Sequence, residues 1–278
     1  LVTALPSFAI RTSALASPPN IIVLLAADLG WADLSCYGST FHGTPHLDKH
    51  TAHGMRFTQL HSSSQNCQPS LEAGMPGRHL ARVETNDYSH SACKSGTLLR
   101  AEMKMELPLG EVTLVELLHD AGYATRHVGK WHLGESGFLP EKQGFQVNIA
   151  RNHCGAPTSF VCPYGRDKPE AAKRYHGSPV PVLAEGRQKA EDLCACLTSE
   201  SMKLITGRKS GGPPSLHLPF YDVHTPIMAK PGLDKKYRAK SCCMGFLARP
   251  TLCSRARRLM TGPSARRMVT ARRTRSSE

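Results

Sequence analysis

A chain of 278 residues with 40% hydrophobic side chains is long enough for one large or two modest domains with a sizeable core. The net charge of +13 raises nucleic acid as a partner, but eight of those charges lie from Arg249 onward, where nine arginines face the single acid Glu278 and no aromatic is interleaved for base stacking. No run approaches the ~20 apolar residues of a membrane span, and the ten cysteines contain no C-x-x-C pair, which argues against a zinc ribbon or thioredoxin-like site.

In chain order, Leu1 to Ser17 is apolar and rich in small residues, like the end of a signal peptide, and points to a periplasmic or secreted protein. Asn20 to Ala27 reads as a fully buried strand of a parallel sheet. Thr44 and Pro45 open a short helix that runs through Ala52 and stops at Gly54, and Met55 to Leu60 alternates as a second strand would. Pro69 suits the first turn of a helix through Met75, which puts Cys67 near the positive end of the helix dipole. Thr113 and Glu116 form a capping box for a helix whose apolar face is Leu114, Val115, Leu117, Leu118 and Ala121, with Gly122 as its stop. Tyr123 to Val128 and Leu216 to Val223 are further strands, the second irregular or near an edge because of Pro219. Between them, a helix-like segment covers Glu191 to Ile205. After about Ala239 the text turns Arg- and Ser-rich and reads as disordered.

Alternating strands and helices argue for an α/β sandwich with a largely parallel sheet. Asp28, Lys130, His132 and His224 then all follow strand ends, at the edge where open α/β sheets bind ligands. A carboxylate, an amine and two imidazoles in one cleft suit a negatively charged tetrahedral group. Blander readings stand beside this one. Cys67 also reads as an inert thiol, Asp28 as a turn cap, and Lys130 and His132 as polar groups around a core Trp131. His153 reads as a loop histidine without a role. The chain has no G-x-S-x-G, H-E-x-x-H or G-x-G-x-x-G signature.

The run PNIIVLLAADLGW from Pro19 to Trp31 resembles the opening strand of type I sulfatases, and TPHLD (44–48) with GMRFT (54–58) continues the likeness. CQPS (67–70) with Gly77 and Arg78 resembles the signature in which the family's cysteine is oxidised to formylglycine. GYAT (122–125) and GKWHLG (129–134) are similar to the second family signature, and His224-Thr225-Pro226 to a third catalytic segment. The similarity spans roughly 19 to 238 and is nearest to bacterial arylsulfatase-like and N-acetylgalactosamine-6-sulfatase-like members.

This resemblance implies an alkaline-phosphatase-like fold and hydrolysis of a small-molecule or carbohydrate sulfate ester. It implies Cys67, as formylglycine, for the nucleophile, made by the formylglycine-generating enzyme, with Lys130 on sulfate, His132 beside the nucleophile and His224 as acid. One Ca²⁺ would be held by Asp28 and by the modified Cys67. Three departures bear on this. Ala27 stands where the family has a first aspartate, Leu71 where it has an arginine four residues after the cysteine, and Pro76 where it has a threonine. No Asp-Asn pair of further metal ligands follows Pro226. The expectation is therefore a sulfatase N-terminal domain over 19–240, incomplete at its C-terminal side, after a leader-like segment at 1–18 and before a basic tail at 241–278. A catalytically impaired form and a phosphohydrolase of the same fold are the alternatives.

Overall fold

The computed structural model describes residues 17–88, 102–150, 153–165, 180, 183, 191–207 and 211–243. Most of the leader-like segment and the arginine tail from 244 onward lie outside the described residues. The chain divides into a compact unit through Met228 and a second that starts at Ala229.

Among the described residues the first unit holds four strands: β1 (Ile21–Ala26), β2 (Ala124–Val128), β3 (Val147–Ile149) and β4 (Pro214–Phe220). They form one sheet in the order β1-β4-β2-β3, with every pairing parallel. Parallel neighbours need crossovers, and helices α1 (Pro45–His53), α2 (Cys67–Gly74), α3 (Leu80–Val83), α4 (Leu114–Asp120) and α5 (Leu193–Thr206) lie in them. The expected α/β architecture with a parallel sheet is therefore the observed one.

Strand alternation sends successive side chains to opposite faces, and each face meets its own core. Val128, Leu216 and Leu218 join Phe160, Tyr164, Leu193, Leu197 and Tyr221 on the α5 side. Toward the other side His127 and His217 meet Trp131 and Phe145, part of a cluster with Leu71, Met75, Leu107, Val115 and Leu133. The capping box of α4 forms as its sequence requires: Thr113 Oγ1 accepts from the Glu116 N–H at 3.1 Å, and the Thr113 N–H donates to Glu116 Oε2 at 2.8 Å.

Five expectations need correction. The strand expected at Met55 to Leu60 is irregular chain. Its Met55, Phe57 and Leu60 are exposed, so the alternation had no sheet partner to serve. β1 is not fully buried: Ile22, Val23 and Leu24 are exposed, because β1 is an outer strand of the described sheet, paired only with β4. Pro219 sits in β4, an inner strand bonded on both sides, where its missing donor is tolerated while its carbonyl accepts from the Lys130 N–H at 2.9 Å. The apolar face of α4 is mostly open, with Leu114 and Leu117 exposed and Val115 buried. Finally, the chain stays helical past Ala239: in the second unit α6 runs Pro231–Cys243, opened by proline and carrying the surface pair Arg238–Asp234 at 2.8 Å. No helix among the described residues is long and apolar enough to cross a membrane.

Candidate active site

The carboxyl ends of β1 and β4 are clipped together. The Ala27 N–H donates to the Asp222 carbonyl at 2.9 Å, and the Val223 N–H returns a bond to the Ala27 carbonyl at 2.8 Å. Asp28 and His224 therefore leave the sheet side by side, with Oδ2 and Nε2 3.7 Å apart. Asp28 holds a left-handed backbone, φ 58°, a conformation that non-glycine residues adopt at a cost and that often marks functional turns.

At the end of β2 the chain turns at Gly129, φ 122°, where any Cβ would overlap the Pro219 carbonyl oxygen. Only glycine allows that approach, and it lets the Gly129 N–H reach the Ile149 carbonyl while Lys130 bonds Pro219. Trp131 then plugs the core, 1% exposed, with Nε1 donating to the Phe138 carbonyl at 2.9 Å. That plug holds its neighbours Lys130 and His132 in place. His132 is again left-handed, φ 60°.

Cys67 is the first residue of α2, so its side chain lies at the end where backbone N–H groups are unpaired and the helix dipole is positive. Its Sγ is 3.4 Å from His132 Nδ1. The Lys130 side chain is fully buried, and its Nζ meets no acceptor in hydrogen-bonding geometry. Burial pulls the ammonium below its usual range, while the nearby Cys67 and Asp28 act in the opposite direction.

Asp28, Cys67, His132 and His224 thus line one pocket of about 430 Å³, with Lys130 behind Cys67 and Asp28. Four of the five candidates therefore line the pocket, and Lys130 lies buried behind its wall. Sequence reasoning had not singled out the other walls: Gln65, Asn66, Tyr88, Cys154, Gly155 and Ala156. Asn66 Nδ2 donates to Asp87 Oδ1 at 2.6 Å, and the same carboxyl oxygen accepts from the Tyr88 N–H, which ties Tyr88 to the start of α2. Gly155 faces the His132 ring so closely that a Cβ would lie 2.5–3.0 Å from three ring atoms. No motif spacing marks it, because the contact spans unrelated loops. His153 does not line the pocket.

Two family positions can now be located. Leu71 is buried in the core cluster beside Trp131 and Phe145. Ala27 is buried between the strand ends. Among the described residues no group of three or more His, Cys, Asp or Glu side chains is arranged to hold a metal ion, and Asp28 is the one carboxylate on the pocket wall. Calcium takes about six to eight oxygen ligands. The described donor set, Asp28 with Cys67, does not fit it.

A parallel α/β sheet with a polar pocket at the carboxyl ends of its strands fits an alkaline-phosphatase-like architecture. The family model described as Sulfatase matches residues 19–242. The chain belongs to the sulfatase family.

Human arylsulfatase A is 42% identical over 177 residues, 62% of this chain and 33% of that protein. Human N-acetylgalactosamine-6-sulfatase is 30% identical over 235 residues, 80% of this chain and 43% of that protein. The chain spans between a third and a half of the length of these relatives. Among solved structures, Ps i-CgsB in complex with k-i-k-neocarrahexaose shares the fold at a TM-score of 0.62 and 22% identity, over 80% of this chain and 49% of that one. PsFucS1 sulfatase from Pseudoalteromonas sp. matches at a TM-score of 0.54 and 26% identity, over 77% and 46% of the two chains.

Proposed function

We propose that the pocket is the sulfate-binding part of a sulfuric ester hydrolase site, acting on a small-molecule or carbohydrate sulfate ester in a periplasmic or secreted setting. The observation that carries this reading is the buried Lys130 ammonium, set behind the pocket wall beside Cys67 and Asp28. A buried ammonium is costly, and an anion in the adjoining pocket would lower that cost through its charge.

Each side chain then has a task. Lys130 and the first turn of α2 hold sulfate oxygens and stabilise the charge that grows on them. Oxidation of Cys67 by the formylglycine-generating enzyme would supply a hydrated aldehyde, a nucleophile that can afterwards release the sulfate. His132 Nδ1, within reach of the Cys67 side chain, holds or takes the nucleophile's proton. His224, with Nδ1 2.9 Å from the Thr225 carbonyl and Nε2 3.7 Å from Asp28, donates a proton to the leaving ester oxygen. No step is routed through calcium, because the described donors do not assemble a site for it.

The donor count favours a second reading: the chain binds the sulfate ester and does not turn it over. Ala27 and Leu71 support it, since one removes a carboxylate and the other fills the arginine position with core. A chromogenic aryl sulfate separates the two. Turnover that disappears in His132→Ala and Lys130→Met supports hydrolysis. Binding of the aryl sulfate without turnover supports the second reading, and hydrolysis of the matching aryl phosphate alone would overturn both.

A further inference from the structure

Cys67 matters in its unoxidised form as well. Its Sγ lies 3.4 Å from an imidazole nitrogen, at the positive end of an eight-residue helix. The buried Lys130 stands beside it, drawn to the Cys67 side chain and to Asp28. Leu71, one turn along α2, is committed to the apolar core, so α2 places no arginine side chain over the thiol. Gly155 presses on the His132 ring from the pocket wall and leaves room for nothing between them. The pocket of about 430 Å³ gives small molecules access to the sulfur.

We propose that Cys67, as a thiol, is a charge-selective nucleophile that takes small anionic electrophiles: carboxylates or sulfonates carrying a displaceable group. The anionic end of such a molecule sits at the α2 N-terminus, drawn by the field of the Lys130 ammonium behind Cys67, which aligns its electrophilic carbon with Sγ. The Sγ–C bond forms, the bond from carbon to the leaving group breaks with its electron pair, and the thiol proton passes to His132 Nδ1. No oxidant or metal is needed. The inference uses the pocket of the proposed hydrolase but not its sulfate chemistry, so either can fail while the other stands.

Iodoacetate and iodoacetamide test it, because they share a leaving group and size and differ in charge. The full chain, purified without the formylglycine-generating enzyme, is alkylated by each, and the rate at each cysteine is read from peptide masses. Cys36, a free thiol of similar partial exposure, is the internal reference. The iodoacetate-to-iodoacetamide rate ratio at Cys67 should exceed that at Cys36 by about tenfold at low salt, the scale of one partly screened charge a few ångströms away. Inorganic sulfate should slow iodoacetate at Cys67 and leave Cys36 unaffected. Lys130→Met should bring the two ratios together. Gly155→Ala, by displacing the imidazole, should slow both probes at Cys67 and keep their ratio. Equal ratios at Cys67 and Cys36 in the unaltered chain overturn the proposal, as does the absence of sulfate protection, which needs no variant.

Discussion

Glu72 lies on the buried side of α2, five residues after Cys67, and its Oε1 accepts from Thr85 Oγ1 at 2.8 Å while Oε2 has no partner. Burial lifts its pKa from 4.5 to about 7, against the opposing bonds from Thr85 and Gln68. Below pH 4.5 both the folded and the unfolded chain hold the proton, and the contribution to stability is intact. As pH rises from 4.5 to about 7 the unfolded chain ionises first, so stability falls across that window and stays lost above it. At about 1.4 kcal/mol per pH unit the gap sets a ceiling of about 3 kcal/mol, lowered by whatever solvent reaches the carboxyl once it ionises. Glu72→Gln keeps an oxygen for Thr85 and removes the titration. Urea unfolding at pH 5 and pH 8 should show a larger loss between the two pH values in the unaltered chain than in the variant, by about 1–3 kcal/mol. An identical loss in both proteins would refute the reasoning.

The opposite slope belongs to the His127–His217 pair, whose Nδ1 atoms are 3.2 Å apart between β2 and β4. Burial keeps both neutral in the fold, with His217 pushed down to about 4. Their contribution is therefore full above pH 6.5 and lost as pH falls toward 4, and His217→Leu should flatten that acid limb in the same urea series. Gly129→Ala forces a Cβ onto the Pro219 carbonyl at a positive φ and should cost about 2 kcal/mol or more, read as a lowered Tm. Leu71→Ala should cost about 2–4 kcal/mol by leaving a cavity under Trp131 and Phe145. Leu71→Arg should cost more, since it moves a guanidinium into that cluster; an unchanged Tm would mean that the side chain can reach the pocket instead.

Local chemistry was legible from the residues alone. Thr113 and Glu116 three apart, Pro45 and Pro69 in first turns, and Gly122 after α4 each satisfy or end a helix through groups within a few residues. The placement of Asp28, Lys130, His132 and His224 after strands was readable for the same reason, and parallel pairing carries those four to one edge. The strand at Met55 to Leu60 failed because alternation states only that two faces differ, not that a partner strand exists. The exposure of β1 and the inner position of Pro219 failed because strand order is a non-local choice, made by which crossover packs where. Only the folded chain could show Gly155 against His132, Leu71 turned into the core, and Lys130 fully buried beside Cys67 and Asp28. Residue types and spacings determine which groups are available and where local elements begin. Burial and distance between remote segments, which set the energy of a charge, are decided when the sheet closes around them.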